Sequence, residues 1–253
     1  MTNAQYESLK DTSESIYAKK QAEYPVTLHF HRAFELAYIL SGSARYTVEG
    51  EDFLATAGDI VFSHCCYRHK SFQTPQHTKY VIAVSENITS DISKLLKKRT
   101  FPSLLNDKEF NQTLLPYFSA LVEGEGNTPK ILERGYANII FGSISNHYEK
   151  TAIKQKNKNV SIIEDILNFI DEHYAEPINL ETISKHFGYN KTYFSRLFNG
   201  YIGMSLNNYL NMVRYDKFDS MQKNPKNQTI TDLVFKCGFP SLSTFYRVQK
   251  NRK

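Results

Sequence analysis

No stretch of this 253-residue chain approaches the roughly 20 consecutive apolar residues that a helix needs to cross a bilayer. The first twenty residues alternate polar and charged types and contain no apolar run of signal-peptide length. These absences predict a soluble protein, cytoplasmic and not exported. Cysteine is scarce, with only Cys65, Cys66 and Cys237. Three cysteines cannot all pair internally, and a bridge between adjacent residues is strained, so buried reduced thiols are expected. The spacing of His64-Cys-Cys-Tyr-Arg-His69 fits no common structural zinc site. Low-complexity tracts are missing too. A chain with 41% hydrophobic and 23% charged residues has the make-up of a globular protein, long enough for two domains with separate cores.

The charge is unevenly spread. Residues 1–155 carry 17 Lys+Arg and 17 Asp+Glu, whereas residues 156–253 carry 14 against 9, so the whole formal excess of +5 lies in the last hundred residues. A localised basic excess suits a domain that displaces counterions from phosphates, though a solvated basic face would look the same.

From Pro25 to Val84 short apolar runs (Leu36 to Leu40, Ile60 to Phe62, Tyr80 to Val84) are broken by Gly42, Gly50 and Gly58, a strand-like rhythm that predicts a small sandwich or barrel. Arg45 to Leu54 reads as a hairpin turning at Glu49 to Asp52. After Ser90 the rhythm becomes helical. Asp107 to Leu121 and Lys130 to Glu149 are two expected helices, and Gly124, Gly126 and Pro129 between them should turn the chain back. The pair sets Leu114, Leu115, Phe118 and Leu121 against Ile131, Ile139, Ile140 and Ile144. It could pack on the sheet or form a homodimer face. The polar, lysine-rich stretch 154–159 has no apolar periodicity and reads as a linker.

Beyond it lies an internal repeat. Asn179 to Tyr189 is a short helix ending in a glycine turn, and Asn190 to Asn199 is the helix that follows. Thr229 to Phe239 and Pro240 to Lys250 repeat that order, with Gly188 and Gly238 spaced 50 positions apart and Arg196 and Arg247 spaced 51. Glycine suits the turn because it tolerates positive φ, and Asn179 and Thr229 are expected N-caps. Two short helices meeting at such a turn form the helix-turn-helix layout. In the first unit Phe194, Leu197 and Phe198 form the apolar side, while Thr192, Ser195, Arg196 and Asn199 fall at i, i+3, i+4 and i+7 on another. In the second, Leu242, Phe245 and Val248 are apolar, and Ser243, Tyr246, Arg247 and Lys250 occupy the matching stripe. Each stripe sets an arginine, which can make a bidentate contact with guanine, among shorter hydrogen-bonding side chains that reach base edges or phosphates. One such helix alone would be only an amphipathic helix with a wet face; two in the same context predict a DNA reader. Met204 to Met221 reads as a single connecting helix of about 27 Å, a strut suited to readers roughly one DNA turn, about 34 Å, apart.

These residues carry a resemblance. Leu180, Ile183, Phe187-Gly188-Tyr189, Tyr193 to Phe198, Gly203, Tyr209-Leu210, Arg214, Ile230, Leu233, Gly238-Phe239, Ser243, Phe245 and Arg247 resemble the DNA-binding domain of the AraC/XylS family of transcription regulators. Ser184 and Val234 stand where that family usually has alanine, which implies looser packing near the turns, and Gln249 replaces a core phenylalanine. The sequence stops at Lys253, before the family's closing segment, so the second unit is expected to make the less secure DNA contacts. In the N-terminal part, His29-Phe-His-Arg-Ala-Phe-Glu35 with Gly42 is similar to the first motif of cupin β-barrels, and Gly50 to His69 loosely to the second. The resemblance implies an α+β protein of two domains: a cupin-like sensor barrel over 1–100, a coupling or dimerising helical hairpin over 101–153, the linker, and a double helix-turn-helix domain over 160–253. It implies an effector, a sugar or related metabolite, against His29, His31, Glu35, Tyr38 and His69. His29, His31, Glu35 and His69 are also the ligand types of a cupin metal centre. Thr56 in place of a motif proline and the irregular spacing before His69 weigh against one. The expectation is therefore a regulator with no metal, cofactor or catalytic residues, working on double-stranded DNA as a homodimer, with RNA polymerase as a partner if it activates. Two alternatives stand beside it: a metal-dependent cupin enzyme with a DNA-like appendage, and a relative that no longer reads DNA and acts by dimerising.

Overall fold

The computed structural model describes residues 4–7, 10, 16–22, 25–72, 77–85, 90–124, 126–153, 158–222 and 228–250. The chain divides into two compact units, residues 1–157 and 158–253.

The first unit is built on two five-stranded sheets. One runs β1 (Gln5–Tyr6), β3 (Val26–Phe30), β8 (His69–Ser71), β5 (Ser43–Val48), β6 (Glu51–Thr56); the other runs β11 (Leu104–Leu105), β7 (Ile60–Ser63), β4 (Ala33–Ser41), β9 (Thr78–Ser85), β2 (Tyr17–Ala22). A two-stranded piece pairs β10 (Arg99–Thr100) with β12 (Thr151–Ala152). Among the described residues the ladders leave the two sheets separate, so the expected barrel is realised as a sandwich. Its inner core takes Ala44, Tyr46, Val48 and Ala55 from one sheet and Ala37, Ile39, Val61 and Val81 from the other. The β5–β6 hairpin turns at Glu49 and Gly50, both at positive φ (46° and 83°), as a two-residue turn matching strand twist demands. Glu49 tolerates that backbone because its carboxylate takes the Arg68 amide (2.6 Å) and guanidinium (3.1 Å).

β4 is buried on both faces. Ala37 and Ile39 join the inner core, while Phe34, Leu36 and Tyr38, one residue out of phase, face a second core under helices α1 (Ser90–Leu96), α2 (Lys108–Glu123) and α3 (Lys130–His147). The helices thus pack on the sheet through Leu114, Phe118 and Leu121 of α2 and Ala137, Ile140, Phe141 and Ile144 of α3. The expected pairing through Ile131 and Ile139 does not form: these are 80% and 41% exposed. The cause is helical phase. Ile131 lies nine residues before Ile140, about half a turn round at roughly 100° per residue. The buried Asn111 amide on α2 donates to Gly58 O (3.0 Å) and Leu105 O (2.8 Å) and accepts from the Tyr148 hydroxyl (3.0 Å), tying the helices to the β6–β7 turn.

Of the expected linker, residues 154–157 lie outside the described residues; Lys158 and Asn159 open α4 (Lys158–His173), because Val160, Ile163, Leu167 and Ile170 recur at helical spacing and are buried. The second unit continues with α5 (Leu180–His186), α6 (Lys191–Ile202), α7 (Leu206–Gln222), α8 (Ile230–Lys236) and α9 (Leu242–Lys250). The connecting helix α7 begins two residues later than expected, after α6 is stopped by Gly203 in the left-handed region (φ 76°).

Candidate DNA-reading helices and an interior polar cluster

Both helix-turn-helix units are locally self-specified. α5 and α8, seven residues each, open with reciprocal capping boxes: Asn179 takes the Thr182 amide while Thr182 Oγ1 takes the Asn179 amide, and Thr229 and Asp232 do the same. Both helices end where Gly188 (φ 72°) and Gly238 (φ 82°) adopt the left-handed backbone. The second helices then start on fresh caps, Asn190 for α6 and Ser241 for α9, each accepting the amide three residues on.

Phe194, Leu197 and Phe198 hold α6 to the core, and Phe245 holds α9 to a cluster of Phe218, Leu233, Val234, Cys237 and Phe239. This burial turns the opposite faces outward. Thr192, Arg196 and Asn199 are exposed and Ser195 half-buried on α6; Ser243, Tyr246, Arg247 and Lys250 are all exposed on α9. Ser184 and Val234, where looser packing was expected, are buried, and Ser184 donates its hydroxyl to Glu181 O (3.1 Å). Residues 251–253, which bear on the less secure DNA contacts expected of the second unit, lie outside the described residues. One residue of the connecting helix does more than the resemblance suggested. Arg214 of α7 is buried and spends its guanidinium on main-chain carbonyls, Nε to Tyr174 O (2.7 Å) and Nη2 to Glu176 O (2.8 Å), so it clamps the α4–α5 loop. Gly238 abuts the same loop: a Cβ there would lie 2.7 Å from Ala175 Cα and 2.8 Å from the Tyr174 and Ala175 carbonyl oxygens.

In the first unit His29, His31, Glu35 and His69 converge, each offering a ligand atom within 4.8 Å of the others, and all four are buried. His69 lies forty residues from His29 in sequence, yet β8 pairs with β3 in a register that sets it directly opposite His29. The carbonyl of Thr27 accepts from His29 Nδ1 (2.8 Å), that of Ala33 from His31 Nδ1 (3.0 Å) and that of Tyr67 from His69 Nδ1 (2.8 Å). A carbonyl can only accept, so each ring carries a hydrogen on Nδ1 and turns Nε2 inward. Cys66, at φ 60°, donates its amide to His31 O (2.8 Å) and holds that corner. Tyr38 is not part of the group: on the other face of β4, its ring packs on Phe118, and burial raises its hydroxyl pKa. His64 points elsewhere too, with Nε2 on Leu96 O (3.0 Å), and the three cysteines are buried thiols, none of them in a disulfide.

Two lysines that sequence reasoning missed complete the cluster. The buried Lys10 ammonium reaches Glu35 Oε2 (2.7 Å), Glu7 Oε2 (3.0 Å) and His29 Nε2 (3.4 Å). Burial alone would lower its pKa, but the two carboxylates outweigh that and raise it. Burial alone would likewise raise Glu35, but Lys10 and the His31 contact hold it well below the usual carboxylate range. Burial first, then His69 and Lys10, push His29 down to about 2, and burial lowers His31 as well, so both imidazoles are neutral. Lys79, 3% exposed, donates to the Tyr46 hydroxyl (3.0 Å) and the Ser71 hydroxyl (3.4 Å). Burial brings it down to about 8, with Glu35 opposing. Its inward position was readable, since it alternates with Val81 and Ala83 along β9; nothing local marks Lys10.

Paired short helices with outward polar stripes, in a chain that also carries a β unit with a buried polar cluster, define a DNA-binding regulator with a ligand-binding domain. Residues 13–136 match the family model of an AraC-like ligand binding domain, and residues 183–253 match that of a helix-turn-helix domain. The regulatory protein SoxS of Escherichia coli K12 is 31% identical over 87 residues, covering 34% of this chain and 80% of SoxS. The HTH-type transcriptional activator RhaS of Klebsiella pneumoniae is 20% identical over 225 residues, 86% of this chain and 81% of RhaS. Among solved structures, ToxT of Vibrio cholerae is 15% identical and covers 93% of this chain and 94% of its own, at a TM-score of 0.46. The chain belongs to the AraC/XylS family of transcription regulators. No helix among the described residues is long and apolar enough to cross a membrane.

Proposed function

We propose that the protein binds specific sites on double-stranded DNA through Thr192, Ser195, Arg196 and Asn199 of α6 and Ser243, Tyr246, Arg247 and Lys250 of α9, under the control of a small polar effector in the first unit. The observation that carries the DNA reading is the repeated solvent-facing stripe: α6 and α9 bury their phenylalanines and each leaves an arginine outward at the same helical position. The effector, a sugar or related metabolite, meets His29, His31, Glu35 and His69, with Lys79 and Tyr46 on the same inner side. The neutral imidazoles of His29 and His31, the ionised Glu35 carboxylate and a hydroxyl offer the mixed donors and acceptors that a polyhydroxylated ligand needs. The regulator works in the cytoplasm as a homodimer, and the exposed Ile131 and Ile139 of α3 supply an apolar face for it. RNA polymerase is a partner if the output is activation.

Selection of bound genomic fragments, followed by titration of the full chain on the recovered site and on unrelated DNA, tests the reading. Arg196→Ala should weaken binding to the selected site by about 1–3 kcal/mol and relax preference at one base position. Equal loss on unrelated DNA would reduce Arg196 to a phosphate contact. Absence of salt-dependent binding to any fragment would end the proposal.

A further inference from the structure

The interior of the sandwich has a second polar focus, one ladder step from the histidines. Ser71 follows His69 by two residues on β8, and its partner across the ladder is Tyr46 of β5. From the opposite sheet Lys79 of β9 reaches both hydroxyls, Tyr46 at 3.0 Å and Ser71 at 3.4 Å, and all three side chains are buried. Donors are in excess here. A hydroxyl that accepts from an ammonium sends its own hydrogen elsewhere, and neither the Tyr46 nor the Ser71 hydrogen meets an acceptor among the described residues. The third hydrogen of the ammonium is in the same position. Nor does any carboxylate among the described residues pair with Lys79, since Glu35 and Glu7 are both held by Lys10. Buried donors and a buried charge left unmet are costly, and one anionic group would satisfy all of them together.

We propose, resting on the effector reading, that Lys79, Tyr46 and Ser71 form an anion subsite that takes the carboxylate of a small hydroxy acid, a sugar acid, whose hydroxyls meet His29, His31, Glu35 and His69. A carboxylate offers two oxygens with about four lone-pair sites, enough for the three spare donors. One unpaired cation selects one negative charge; a phosphate-ester dianion would bring a second charge with no buried partner. Two residues of strand separate Ser71 from His69, about 7 Å at roughly 3.4 Å each, a span comparable to a pyranose ring with its substituents. At that end stand the neutral His29 and His31 rings and His69, whose buried Nε2 has no hydrogen-bond partner. A neutral sugar in the same pose leaves Lys79 a buried, unpaired charge. Burial has brought Lys79 down to about 8, and an anion beside it draws it back up, so acid binding near that pH takes up protons.

The full chain and its Lys79→Met, Lys79→Gln and Tyr46→Phe/Ser71→Ala variants are titrated by calorimetry with galacturonate and glucuronate. Galactose and glucose serve as neutral counterparts, and their 6-phosphates as the dianionic ones. Thermal unfolding verifies that each variant is folded. On the native chain an acid should bind roughly tenfold or more tightly than its neutral counterpart, the worth of a charge-assisted contact. Near pH 8 its binding heat should change with the ionisation enthalpy of the buffer, as proton uptake requires. Lys79→Met and Lys79→Gln should bind acid and neutral sugar alike, and the paired hydroxyl substitution should reduce the preference while Lys79 keeps part of it. A neutral sugar that binds as tightly as its acid, or a preference that survives loss of Lys79, overturns the anion subsite and leaves the effector reading standing. A 6-phosphate that binds more tightly than the acid overturns the carboxylate assignment. Binding of none of these compounds overturns the subsite and the effector reading together.

Discussion

Gly188 and Gly238 occupy equivalent turns, yet their replacement by alanine should cost very different amounts. Both sit in the left-handed region, at φ 72° and 82°. That backbone costs an L-residue roughly 1–2 kcal/mol, and a Cβ at Gly188 meets nothing within 4 Å. Gly188→Ala should therefore destabilise the second unit by about 1–2 kcal/mol. At Gly238 the same backbone cost applies, and the Cβ also lands 2.7 Å from Ala175 Cα and 2.8 Å from two carbonyl oxygens. These are main-chain atoms that no rotamer change can clear, and one of them, Tyr174 O, is already held by Arg214. Overpacking of this kind adds roughly 1–3 kcal/mol, so Gly238→Ala should cost about 2–5 kcal/mol. Urea unfolding followed by helical circular dichroism measures both. Asparagine separates the two terms: it tolerates left-handed backbone, so Gly188→Asn should be mild while Gly238→Asn stays severe. If Gly188→Ala equals or exceeds Gly238→Ala, the close approach to the 174–175 loop is not what demands glycine there.

Lys79→Met should stabilise the first unit at pH 7 by about 1–3 kcal/mol, the burial cost of the ammonium less its two hydrogen bonds. Because folding lowers the pKa of Lys79 from 10.5 to about 8, between those values the unfolded chain keeps a proton the folded chain has lost. Native stability must rise with pH across that window and the advantage of methionine must fade; a difference constant from pH 7 to 10 would contradict this. Arg214→Met, which keeps the stem but strands the Tyr174 and Glu176 carbonyls, should cost about 2–4 kcal/mol and show as a lower urea midpoint for the second unit. An unchanged midpoint would mean the loop is held without it. Ile139→Glu, on the exposed face of α3, should shift sedimentation toward monomer while leaving the thermal midpoint within about 0.5 kcal/mol of native; a dimer that persists would place the contact elsewhere.

The helix-turn-helix units were legible residue by residue because each is written within one short stretch. Asn179 and Thr229 cap helices through amides two or three positions away, Gly188 and Gly238 end them, and Phe194 and Arg196 part to opposite faces by helical periodicity alone. No distant partner is needed to decide any of these. The sensor interior is another matter. That His69 stands opposite His29 follows from strand register; that Tyr38 leaves the cluster for the helix-packed face follows from which parity of β4 turns inward. Nothing in the residues around Lys10 marks it as the ammonium that meets Glu35, since that contact joins positions 25 apart. Ile131 and Ile139 looked equivalent to Ile140 by composition, and only docking on the sheet chose which side of α3 is buried. The caps, turns and faces of the helix-turn-helix units are set by residues near in sequence, so the sequence alone determines them. Sheets and buried charges are settled by partners that the chain brings together only on folding, and their arrangement belongs to the tertiary structure.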